Sequence, residues 1–236
     1  MVLARRALAE GIGTALLLAA VVGSGIAAER LSPGDTGLQL LESATATGVA
    51  LVAIILAVGA VSGAHLNPVV TLVDRWLGGL TSTEASVYVV VQVAGGALGV
   101  VVANLMFDLP AVELSSTARA GGHLWLAEVV ATFGLVLVVF GVVRSGRPGL
   151  APFAIGAYVA GAYFFTSSTS FANPAVTVAR TLSDTFAGIE PGSVPPFVLA
   201  QLAGGMIALG VVRVLYPHVE RSAADVVVPH GEEPRP

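Results

Sequence analysis

Six apolar stretches, near residues 6–27, 38–60, 84–107, 123–143, 151–168 and 196–215, constrain this chain more than any other feature. Each is long enough to span, because a helix of about 20 residues crosses a bilayer core of about 30 Å. Charged side chains make up 11% of the residues. An average soluble domain carries about 25%. Apolar residues make up 55%, and the mean hydropathy is +0.86. This balance excludes a soluble globular domain and a disordered protein. A formal net charge of −4 leaves no basic face for nucleic acid. Cysteine is absent, which excludes disulfides, zinc–thiolate sites and thiol nucleophiles. The chain reads as an all-α, polytopic membrane protein.

Two shorter segments, about 67–77 and 173–183, are too short to span, and each begins at an Asn-Pro pair. Proline there suits the first turn of a helix. After Pro217 the sequence turns polar and reads as a disordered tail over 217–236, behind a single membrane domain over 1–216. Arg5-Arg6 and the small residues near 23–28 would also suit a cleaved signal peptide. Glu10 interrupts that run, however, and a segment near residue 123 repeats its pattern, so the first block reads as a span. With the N-terminus inside and six spans, eight arginines fall on the inner side (Arg5, Arg6, Arg75, Arg144, Arg147, Arg213, Arg221, Arg235). Only Arg30, Arg119 and Arg180 fall outside. This agrees with the positive-inside rule and puts both termini in the cytoplasm of a bacterial-type inner membrane.

The chain is two copies of one unit, about 5–107 and 123–216. LAEGIGT (8–14) matches LAEVVAT (126–132), HLNPVVT (65–71) matches FANPAVT (171–177), and QVAGGALG (92–99) matches QLAGGMIA (201–208). The three offsets are nearly constant, so the halves differ only by small loop insertions. Each half holds three full spans, an odd number, so the second half lies upside down relative to the first. Inverted repeats place a pathway at their interface. Two short helices that meet midway would complete one more crossing, and non-helical backbone at that depth is tolerated where it lines a cavity. The pattern points to a pore.

SGAHLNPVVT (62–71) and FANPAVT (171–177), with the paired AExxxT-type starts, resemble the aquaporin or major intrinsic protein family from about residue 5 to 216. The resemblance implies six tilted helices, two re-entrant half-helices meeting at the midplane, a pore in each protomer and a homotetramer in membrane lipid. Asn67 with Pro68 and Val69, and Asn173 with Pro174 and Ala175, would be the two pore motifs; Val69 stands where the family usually has alanine. Facing helix N-termini and the two amides would pin the oxygen of a permeating water and repel cations. The competing reading is that each asparagine only caps its helix.

Glu10 and Glu128 lie inside apolar spans at repeat-related positions. A charge there costs at least about 2.5–3.5 kcal/mol. A transporter would use them as proton carriers. The family resemblance favours structural acceptors for the loops before the half-helices, helped by Thr14, Thr132, Gln92 and Gln201. Small residues such as Gly11, Gly95, Gly99 and Gly204 read as helix-packing sites. His65 borders the first motif, whereas His123, His218 and His230 are scattered without metal-ligand spacing, so no metal or cofactor is expected. The hydroxyls of TSSTSFANP (166–174) lack a catalytic partner and read as a wet lining, not an enzyme's site.

Counting from the asparagines as the family does puts the selectivity filter on Thr47, Gly161, Ser170 and Val176. Water-selective members carry an aromatic, a histidine and an arginine at the first, second and last of these. None is present here, so the filter is expected to be wide and uncharged. Arg180 would either restore positive charge further out or face headgroups or Asp184. SFANPAVTVAR (170–180) further resembles a bacterial branch of the family linked to arsenic resistance. The expectation is a passive channel for small neutral solutes: glycerol-like polyols, metalloid hydroxides such as arsenite, and water. The alternatives are an ion- or proton-coupled transporter on inverted repeats and a strictly water-selective channel.

Overall fold

The computed structural model describes residues 2–216; the expected tail over 217–236 lies outside them. Among the described residues eight α-helices follow in order: α1 Leu3–Leu31, α2 Thr36–Ser62, α3 Pro68–Leu77, α4 Ser82–Met106, α5 Gly122–Arg144, α6 Ala151–Phe165, α7 Pro174–Ala179 and α8 Val194–Leu215. Six segments are long and apolar enough to cross a membrane, with a 3₁₀ turn preceding each of the last two helices among them. The other two helices, α3 and α7, are the short segments that begin at Asn-Pro. The expected second short segment ended at 183, but α7 stops at Ala179 and tightens into a 3₁₀ turn over Arg180–Leu182.

Local chemistry sets these boundaries. Asn67 and Asn173 accept the N–H groups of Val69 and of Ala175 and Val176, while Pro68 and Pro174 open the first turns. Thr81 and Glu84 close a reciprocal capping box on α4, and Asp35 caps α2. Gly78 ends α3 in the left-handed region, at φ 89°.

Packing repeats between the halves. α1 lies on α4 and α2 as α5 lies on α8 and α6, and α2 meets α6 across the repeat boundary. The first contact needs absent side chains: a Cβ on Gly99 would stand 2.1 Å from the Ala15 carbonyl oxygen. Gly204 does the same for α5 and α8, where a Cβ would come within 2.4 Å of the Val129 oxygen. Bilayer lipid offers no hydrophobic drive to bring helices together, so close backbone approach supplies the contact. One apolar core runs through both halves, from Leu18 and Val22 to Phe140 and Phe197. The half-helix α3 packs on α4 and α8, and α7 packs on the same two helices, so each bridges both repeats. The α1 segment is thus built into the core, packed along α4 and α2.

Candidate functional site

Between α2 and α3, and again between α6 and α7, the chain crosses the interior without helical hydrogen bonds. Gly63, Ala64 and Leu66 adopt positive φ (88°, 48° and 51°), as do their repeat partners Thr169, Ser170 and Ala172 (61°, 51° and 48°). Non-glycine residues in this region cost about 1–2 kcal/mol each. Something must hold them.

The holders are the two fully buried glutamates. Glu10 accepts hydrogen bonds from the His65 and Leu66 N–H groups (2.9 and 2.7 Å), the Ser62 hydroxyl (2.6 Å) and Gln92 Nε2 (2.8 Å). Glu128 accepts the same four kinds of donor, from Phe171 N–H, Ala172 N–H, Ser168 Oγ and Gln201 Nε2, at 2.6–2.9 Å. Gln92 and Gln201 also donate to Thr71 and Thr177 of the half-helices. The expected help from Thr14 and Thr132 is not found. Thr14 donates to the Glu10 carbonyl of its own helix, and the Thr132 hydroxyl has no hydrogen-bond partner among the described residues. Thr71 and Thr177, which end the matched motifs, stand in their place.

With the loops fixed, their carbonyls and the two asparagines meet at the centre. Asn67 Nδ2 donates to the Ala172 carbonyl (2.8 Å) and Asn173 Nδ2 donates to the Leu66 carbonyl (2.7 Å), each reaching across to the other repeat. Each Oδ1 caps its own helix. Capping and pore-facing readings are therefore both satisfied by different atoms. One N–H on each amide is left over, and both asparagines line an elongated cavity between the repeats. Its walls are otherwise largely apolar: Leu51, Ile55, Leu135 and Ile155 among them. Among the described residues lining it none is acidic or an arginine; His65 is the one titratable side chain. The His65 ring is held by Thr71 (3.2 Å), stands 3.8 Å from Asp74 and meets the Tyr88 ring edge-on.

Thr47, Ser170 and Val176 line this cavity, and Val70, the repeat partner of Val176, lines it too. Gly161 does not. It shares an exposed stripe of α6 with Ala157 and Phe164, and a Cβ on it would meet nothing within 4 Å. The inward stripe of α6 runs through Ile155, Val159 and Tyr163, and the Tyr163 hydroxyl donates to Thr47 (3.2 Å). The hydroxyl cluster is also split. Thr166, Ser167 and Ser168 donate to the Ala162 and His123 carbonyls and to Glu128, so only Thr169 and Ser170 are left to line cavities.

Beyond Thr47, on the face formed by the loops around 32–35, 107–121 and 183–193, lies a second cavity. Arg180 lines it and is only 4% exposed. Its Nε donates to the Ala187 carbonyl and its guanidinium lies 3.6 Å over the Phe171 ring. Asp184 is not its partner; that carboxylate accepts from Ser116. Burial and the nearby Arg119 push the Arg180 guanidinium down to about 9, so it stays cationic near neutral pH. Arg119, counted in the sequence only as an outer-loop charge, reaches the same cavity. A fold-back of the long α4–α5 loop is what brings it there, and no motif marks it.

Comparison with known proteins agrees with this architecture. The family model for "Major intrinsic protein" matches residues 1–170. The chain is 48% identical to aquaglyceroporin AqpS of Rhizobium meliloti (strain 1021), over 89% of this chain and 90% of that protein. It is 31% identical to the probable aquaporin AqpM of Archaeoglobus fulgidus, over 88% of this chain and 95% of the relative. Its fold is similar to the X-ray structure of the aquaglyceroporin from Plasmodium falciparum, with a TM-score of 0.70 at 20% identity, covering 93% of this chain and all of that one.

Proposed function

This chain belongs to the major intrinsic protein family, and from that premise we propose that it is an aquaglyceroporin-type channel that lets small neutral solutes, glycerol-like polyols first among them, follow their gradients across a bacterial cytoplasmic membrane. The observation that carries the reading is the pair of spare amide N–H groups, from Asn67 and Asn173, facing one cavity whose walls hold no carboxylate and no guanidinium among the described residues. A hydroxyl oxygen can accept from both amides in turn while its carbon skeleton slides along Leu51, Ile55 and Ile155. The half-helix N-termini point their positive ends at the same place, which disfavours cations.

The finer reading is that Val176, with Thr47 and Ser170, forms the outer constriction. Val176 occupies the place where water-selective relatives carry arginine, and it offers neither charge nor donors. A wide, neutral constriction of this kind suits glycerol and also As(OH)3, a neutral polyol-like hydroxide, as well as water. The N-terminus and the Leu215 end of α8 would face the cytoplasm, and four copies would assemble with one pore each. The proton-coupled alternative needs Glu10 or Glu128 to change protonation. Each already accepts four hydrogen bonds, and a proton on either would displace a donor that holds the loop.

Stopped-flow swelling of proteoliposomes with glycerol, arsenite and water tests the reading. Flux of all three that follows the gradient is expected. Water flux with both larger solutes excluded would overturn it, as would accumulation against a gradient driven by pH.

A further inference from the structure

The cavity at the loop face is built around two cations. Arg119 and Arg180 both stand over Phe171, with guanidinium carbons 5.1 and 3.6 Å from the ring centroid. Three successive carbonyls hold them: Phe186 and Gly188 accept from Arg119, and Ala187 accepts from Arg180. That arrangement fixes both side chains yet leaves nitrogens unspent. Arg180 uses only Nε, so among the described residues both its terminal amino groups lack a protein acceptor, and one amino group of Arg119 does as well. Neither arginine forms an ion pair among the described residues. The two carboxylates that share a neighbouring groove with Arg119 are used on backbone: Glu29 accepts from Phe186 N–H and Asp184 from Ser116 N–H.

Two like charges held side by side in a half-closed space repel one another. Glu128 attracts both but does not line the cavity and is spent on its four donors, so an anion between the free N–H groups would relieve the repulsion. The free edge of Arg180 is a flat pair of N–H donors, which matches two oxygens on one centre. Thr169, Ser43 and Thr36 line the same space and could serve further oxygens. Its volume is about 130 Å³, room for a few atoms beyond a single water. Tyr163 lines it and donates to Thr47, and Val21 is shared with the central cavity, so the space adjoins the central cavity on the Thr47 side.

We propose that Arg119 and Arg180 form a binding site for a small oxyanion at the mouth of the pore, and that an anion held there obstructs entry of neutral solutes. The position of the site as an antechamber rests on the channel reading; the existence of the site does not.

Inorganic phosphate is the probe, with sodium chloride of equal ionic strength as the reference, present on both sides of the vesicle so that insertion direction does not matter. At about ten times its Kd, phosphate should slow glycerol flux about tenfold and raise the thermal midpoint of the purified protein by about 3 °C. Arg30→Gln, which removes an exposed cation from the same face, should keep both effects. Arg119→Gln and Arg180→Gln should each lose them. If Arg180→Gln does not fold, Arg180→Lys should fold with a weakened phosphate effect, because it keeps the charge and loses the flat donor pair. An undiminished phosphate effect in Arg119→Gln would overturn the proposal. So would equal effects from chloride, or no effect in the native protein by either readout. Absence of glycerol flux without phosphate counts against the channel instead, and leaves the thermal measurement to decide the site.

Discussion

Val176 is 5% exposed, and its branched side chain contributes to the wall of the central cavity. Arginine at this position would add a long, permanently charged side chain with five donors to a passage lined by no arginine among the described residues. Val176→Arg is expected to lower the ratio of glycerol to water flux by about tenfold, a barrier difference of about 1.4 kcal/mol. Val70→Arg, at the repeat-related wall, should impair folding or all fluxes together and leave that ratio in place. Swelling rates for both solutes check this; an unchanged ratio in folded Val176→Arg would remove Val176 from the constriction. Glu128 makes a different demand. Its two oxygens accept four hydrogen bonds, so Glu128→Gln turns an amino group toward donors that then face no acceptor. With each unsatisfied buried group costing about 1–3 kcal/mol, a loss of about 2–4 kcal/mol is expected, read as a lower thermal midpoint in detergent. Glu10→Gln should cost a similar amount, because its donor set is the same. A fully stable Glu128→Gln would show that the loop does not depend on the carboxylate.

At the scale of elements, the half-helices α3 and α7 begin where their asparagine caps meet, and their position depends on full-length helices they do not touch in sequence. α1 supplies Glu10 to the loop before α3, and it can do so only because it lies flush on α4. Gly99→Leu should push these helices apart, since even a Cβ would enter the Ala15 carbonyl. Overpacking of this kind costs about 1–3 kcal/mol or more. Glycerol flux should fall with stability, because displacement of α1 carries Glu10 with it. Gly210→Ala is the matched control on α8, where a Cβ meets nothing within 4 Å and alanine is the better helix former. Thermal unfolding of the two variants side by side distinguishes a packing requirement from a general intolerance of larger residues.

For the whole molecule, the proposed orientation rests on arginine placement and inversion, and the absence of cysteine makes it directly measurable. Ala118→Cys places a thiol on the exposed part of the α4–α5 loop, and Ser145→Cys places one beyond the far end of α5. An impermeant maleimide added to intact cells should label the first and reach the second only after permeabilisation. The reverse pattern would invert the assignment, and the arginine antechamber would then open to the cytoplasm. Four-copy assembly predicts a mass of four chains in native mass spectrometry from detergent. A monomer there that still conducts glycerol after reconstitution would separate the pore from the assembly.

The number of spans, their inversion, the two Asn-Pro half-helices and the pairing of Glu10 with Glu128 are all legible in the sequence, because hydropathy and repeat spacing are properties of position along the chain. Hydrocarbon enforces them locally: an apolar block of about 20 residues has few other ways to satisfy its backbone. Positions read by counting across the irregular loops are less secure. Thr169, Ser170 and Ala172 leave the right-handed region, so helical phase is not carried from Asn173 back to α6, and Tyr163 faces inward where Gly161 was expected. The hydroxyls that join the glutamate networks are Thr71 and Thr177, not Thr14 and Thr132, because Gln92 and Gln201 bridge from the glutamates to the half-helices, while Thr14 donates to the carbonyl one turn back in its own helix. The pairing of Arg119 with Arg180 belongs wholly to the tertiary structure. It joins residues far apart in the chain through the carbonyls of a third loop, and no repeat or periodicity links an arginine to the backbone that will hold it.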